Sequence, residues 1–85
     1  MTKEEAIEIA VSYTRTKIDF ALDQVLEVQF VSLEIKKNRF QICGGDPSKI
    51  TSAEWNVRLR NVQDFKEILV IVDDNTKESG FLEQL

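Results

Sequence analysis

The chain has 85 residues, 42% hydrophobic and 31% charged, with a net charge of −4, one Cys and no His. That is the length of one domain (residues 1–85) with one small core. It excludes an internal disulfide and any Cys/His zinc pattern, removes the commonest general base and transition-metal ligand, and disfavours wholesale nucleic-acid binding.

Residues 3–18 predict a helix. Thr2 is a good N-cap and Glu5 follows three positions later, the spacing of a capping box. Glu4, Glu5 and Glu8 complement the positive end of the helix dipole, and Arg15 and Lys17 the negative end. Ile7, Ala10, Val11, Thr14 and Ile18 form one face, widened by Ala6 and Tyr13, with Ile9 at its edge.

Residues 19–27 read either as a short helical turn or as a packed connection through Phe20, Leu22, Val25 and Leu26. From Leu26 the pattern alternates. Val28 and Phe30 share its face, and then the phase flips to Val31, Leu33 and Ile35. The flip means either a bulge or a strand buried on both faces near Phe30–Val31. A bulge or bend in one long, curved strand is the preferred reading, since such a strand wraps well around a single helix. Lys36-Lys37-Asn38 then predicts a tight turn, and residues 39–43 a returning strand with Phe40 and Ile42 on one face.

Gly44-Gly45-Asp46-Pro47-Ser48 is the strongest loop signal, separating a helix-plus-hairpin half from a second hairpin. In that hairpin Trp55, Val57 and Leu59 face inward, and Asn56, Arg58 and Arg60 outward. Residues 62–66 turn, with Asp64 near the tip. Residues 67–73 are apolar on both sides, which predicts an interior strand. Asp73-Asp74-Asn75-Thr76 ends it with turn formers, and Gly80-Phe81-Leu82 packs back as a short strand or trails as a tail.

No constellation here carries chemistry. Cys43 lacks the His that would make it a thiolate and reads as a packed strand end. The Gly44-Gly45 amides lack the Lys-Ser/Thr of a phosphate loop. Asp73-Asp74-Asn75 departs from a calcium loop at Lys77, where another oxygen ligand belongs. Hence no catalytic residue, cofactor or metal is expected. Trp55 and Phe40 read as buried, with Tyr13 reaching Trp55, so the outer face lacks the exposed aromatics that RNA binding wants. The residues left for a partner are Gly44, Gly45, Asp46 and Lys49 in the loop and Arg58 and Arg60 on the outer strand face.

The opening Thr-Lys-Glu-Glu-Ala-Ile-Glu-Ile-Ala resembles the helix of PepSY-like domains. Trp55-Asn56-Val57 followed by Val70-Ile71-Val72-Asp73, with Thr76 three residues on, resembles their late hairpin, which ends Val-Asp-x-x-Thr-Gly. Lys77 stands where that motif has Gly. The arrangement is also similar to small bacterial immunity proteins of cystatin or NTF2-like type, which carry a single Trp. The resemblance covers residues 1–14 and 55–76 and supplies no catalytic residue. It implies a helix cradled by an antiparallel sheet.

The expected fold is therefore α+β: one N-terminal helix packed on a four-stranded antiparallel sheet, cystatin-like in shape. The expected function is a non-catalytic protein-binding or inhibitory module, in its specific form an immunity protein that neutralises a toxin. The alternative is a small-molecule-binding or enzymatic domain with an NTF2-like pocket between helix and sheet. The expected partner is another protein, neither nucleic acid nor membrane, with a homodimer through a sheet edge as a further reading. No apolar run approaches about 18 residues and the first residues are not a basic-then-apolar leader, so the expected compartment is the cytoplasm; a trimmed secreted chain would look the same.

Overall fold

The computed structural model describes residues 1–18, 22–63 and 65–84. Two helices and a 3-10 turn accompany four strands: α1 (Lys3–Thr16), β1 (Leu22–Val31), α2 (Leu33–Ile42), the 3-10 turn (Pro47–Lys49), β2 (Glu54–Asn61), β3 (Glu67–Asp73) and β4 (Ser79–Gln84). The strands form one antiparallel sheet in the order β1-β2-β3-β4, with α1 packed on it. The expected class holds, as does the interior place of 67–73.

Helix α1 starts where its cap dictates, with the Glu5 N–H donating to Thr2 Oγ1 at 3.2 Å. The Glu5 side chain leaves the box and pairs with Lys77 Nζ at 2.9 Å. The helix is laid down on its small residues: Ala6, Ala10 and Thr14 are fully buried. Thr14 can be buried because its hydroxyl donates to the Val11 carbonyl at 2.7 Å. Beneath lie Val57, Leu59, Ile68, Val70 and Val72, with Val25, Val28, Trp55, Ile9 and Tyr13 packed around them. Trp55, Val57, Ile68, Val70 and the Tyr13 helix therefore share one interior, as the alternation implied. Ile7 and Val11 are only half-buried and stand outside this cluster, so the helix is rotated toward Ala6 and Ala10 relative to the face read from spacing.

Three sequence expectations are corrected. Residues 33–43 are not the end of one strand and the start of another. Ser32 caps α2, accepting from the Ile35 N–H at 3.3 Å, and the helix runs through the supposed turn 36–38. The phase flip at Phe30–Val31 is thus the end of a strand. The register irregularities of β1 lie earlier, at Leu22/Gln24 and Val25/Glu27. The fourth strand is Ser79–Gln84, paired with β3 over six consecutive positions, so of the two readings of Gly80-Phe81-Leu82 the strand holds. Leu22 onward is strand rather than a helical turn; the part of that reading on residues 19–21, like that of Asp64 as a turn tip, lies outside the described residues.

Two aromatic expectations change with it. Tyr13 meets Phe81, ring centroids 6.2 Å apart, while Trp55 packs on Phe30 at 4.9 Å. Phe40 is 37% exposed rather than buried, because its helix lies outside the core.

The β3–β4 turn follows from Asp73. Its Oδ1 accepts from the N–H groups of Asn75 and Thr76, each at 2.9 Å, and its Oδ2 from Ser52 Oγ at 2.6 Å. These bonds, the Ser52 hydroxyl first, hold its pKa down at about 2. Asp74 Oδ1 accepts from Trp55 Nε1 at 2.9 Å, so the turn also seats the tryptophan. Lys77 closes the turn at φ 64°, the left-handed region where Gly sits most easily.

Candidate functional site

The helix α2 and the 3-10 turn behind it form an arm beside the end of the sheet. No residue of α2 is buried. Its C-terminus is set by Gly44, whose φ of 86° no L side chain takes readily. The Gly44 N–H donates to the Gln41 carbonyl and the Gly45 N–H to the Phe40 carbonyl, at 3.0 and 2.9 Å. Gly45 lies against the Phe40 ring so closely that a Cβ there would come within 2.4 Å of it. Asp46 then caps the 3-10 turn, accepting from the Ser48 N–H at 3.0 Å and the Ser48 hydroxyl at 2.8 Å. Those two bonds, the hydroxyl first, lower its pKa. The loop Gly44–Ser48 read from sequence is therefore a compact, hydrogen-bonded corner.

That corner leaves a groove of about 280 Å³ between α2, Ile50 and the end of the sheet. Its floor is apolar: Val31, Phe40 and Ile50. Lys36 and Glu54, at its wall, pair at 3.2 Å and tie the helix to β2. Arg39 also lines it, and among the described residues neither Arg39, Lys37 nor Lys49 has an ion pair. On the outside of α2, Ile42 is 85% exposed. Cys43 lines the groove and is exposed at the helix end, not packed at the end of a strand.

The arm runs against the charge of the chain as a whole. Residues 33–50 carry four basic and two acidic side chains; the rest of the chain carries seven basic and thirteen acidic. A positive segment thus projects from an otherwise negative molecule.

The other sequence candidates fall elsewhere. Arg58 and Arg60 do lie on the sheet face away from α1, but both are engaged. Arg58 Nη2 is 3.2 Å from Glu27 Oε2 and its Nε 3.6 Å from Glu67 Oε1, the second an ion pair too long for a hydrogen bond. Arg60 Nη2 donates to Gln24 Oε1 at 2.9 Å, and its guanidinium lies over the Phe65 ring. Arg58 is four residues along β2 from Glu54, about 13 Å at the usual rise of a strand. The structure therefore gathers Gly44, Gly45, Asp46 and Lys49 at the arm and leaves Arg58 and Arg60 on a separate surface.

Arg39, Phe40, Ile42 and Ile50 were missed. The signal that would have found them was present: Ser32 as N-cap, Glu34 in the first turn, Arg39 in the last and Gly44 just beyond it are helix punctuation. Among the described residues no cluster of His, Cys, Asp and Glu could hold a metal ion, and no helix is long and apolar enough to cross a membrane. No family model matches the chain, and neither a curated protein nor a solved structure matches it.

Proposed function

We propose that this domain is a non-catalytic protein-binding module whose contact surface is the α2 arm. The observation that carries the reading is the apolar groove bordered by Arg39 on a positive stretch of an acidic chain. A groove of this kind takes an apolar side chain, and the basic residues around it favour acidic neighbours of that side chain. The partner is accordingly a protein segment with an apolar anchor flanked by carboxylates. A toxin held by an immunity protein is the specific form of this reading.

The close seating of α1 supports binding at the arm over a ligand pocket beneath the helix. Ala6, Ala10 and Thr14 bring the helix backbone near the sheet, and the side chains under them are fully buried valines and a leucine. The test is affinity capture from the source cells with the wild-type chain and with Arg39→Glu and Ile42→Asp. Both altered residues lie on the surface, so the fold tolerates them. A stoichiometric partner retained by the wild type and lost by both variants is the expected result. Recovery of no stoichiometric partner, or one indifferent to both changes, overturns the proposal.

A further inference from the structure

The two edges of the sheet are not alike. The β1 edge is broken by two register irregularities, a common way to blunt an edge. The β4 edge has none over its six paired residues. Its sequence Ser79–Gln84 contains no Pro and no Lys, the residues that most often discourage edge pairing, and Glu83 is its one charged residue. Every second N–H and C=O of an edge strand points away from its neighbour and is available to another strand. Leu82 is 57% exposed on the open face and Phe81 39% exposed on the helix face.

We infer that β4 pairs antiparallel with β4 of a second copy of this chain, continuing the sheet across a two-fold axis. The register follows from which faces must match. In a continued sheet the helix faces of both copies lie on one side, so a residue can only oppose one of like parity. With Phe81 opposite Phe81, Leu82 of each copy stands opposite Gly80 of the other. Gly80 is the one gap in that strand: nothing lies within 4 Å of where its Cβ would be. Its neighbour on β3 is Ile71, so the incoming Leu82 covers an apolar side chain that one copy leaves half-covered. On the helix side the Tyr13–Phe81 contact becomes a four-ring row across the axis. That row borders a groove of about 440 Å³ lined by Ile9, Tyr13 and Ser79, which the second copy closes. The alternative register, Leu82 opposite Leu82, sets polar Gln84 rather than an apolar residue opposite Gly80 and Glu83 opposite Phe81, so both apolar matches are lost. A six-residue edge is short, so the contact sits at the low end of about 1,200–2,000 Å² for stable interfaces and association in the micromolar range is expected.

Light scattering with size exclusion, run from about 5 to about 500 µM to bracket micromolar affinity, tests this. The mass should rise from 9.8 kDa toward twice that value with concentration. Leu82→Lys should stay at 9.8 kDa throughout with an unchanged far-ultraviolet spectrum. In a Cys43→Ser background, mild oxidation should crosslink Phe81→Cys and not Leu82→Cys, because only directly opposed positions meet disulfide geometry. A wild type that remains monomeric, or a dimer untouched by Leu82→Lys, overturns the inference. Crosslinking of Leu82→Cys but not Phe81→Cys overturns the register. Should Phe81→Cys fail to fold, the comparison of wild type with Leu82→Lys still decides.

Discussion

At the scale of single residues, Asp73 does the most for the least area. One carboxylate satisfies two backbone N–H groups and a hydroxyl, and it fixes the turn that delivers β4 to the sheet. Its pKa falls from 3.8 to about 2 on folding, so the folded state favours the charged form. A depressed carboxylate stabilises fully above its unfolded pKa and loses that contribution as pH falls through the folded value. The window is therefore about pH 4 down to about pH 2. Asp73→Ala should lower stability at neutral pH by about 1–2 kcal/mol, the cost of orphaned donors. The gap between variant and wild type should shrink toward pH 2, as the wild-type carboxyl is itself protonated. Urea unfolding at neutral and acid pH measures this, and a gap independent of pH would contradict it.

At the scale of elements, α1, β2 and β3 were legible because each has one buried side. Val57 and Leu59 alternate with Asn56 and Arg58 in the sequence, and the structure buries the first pair fully and leaves the second half-buried on the other face. The same rule misled at residues 31–43. Val31, Leu33 and Ile35 keep a period of two, yet only Val31 is buried. Helix α2 buries none of its residues, so no apolar stripe was needed and none exists; caps, not periodicity, mark it. The loop corner was legible as a break, whereas the groove needed Ile50 and Val31 to meet across it, which no local pattern encodes.

A helix held by its caps, one ion pair and a 3-10 turn should open far more readily than the sheet. Native-state hydrogen exchange should show α2 amides exchanging roughly 100-fold faster than those of Val57, Leu59 and Val70. Equal protection of α2 and β2 would mean that the arm is anchored by more than these contacts.

At the scale of the whole molecule, cohesion lies on one side of the sheet and charge on the other. The buried side is a single layer of Val57, Leu59, Ile68, Val70 and Val72 under α1. The open side carries the Glu27–Arg58–Glu67 row, whose members all remain in contact with water. Leu59 and Arg58 are adjacent in the chain and point to opposite sides, so they isolate the two contributions. Leu59→Ala leaves a cavity that α1 cannot fill without losing its seat on Ala6 and Ala10, and should cost about 2–5 kcal/mol. Solvent screens the arginine pairs and side-chain entropy opposes them, so Arg58→Met should cost no more than about 1 kcal/mol. In a chain this size, with a total stability of about 5–10 kcal/mol, only the first change threatens folding. Denaturant midpoints for the two variants test the division; an arginine variant as damaged as the leucine variant would place much of the stability on the open face.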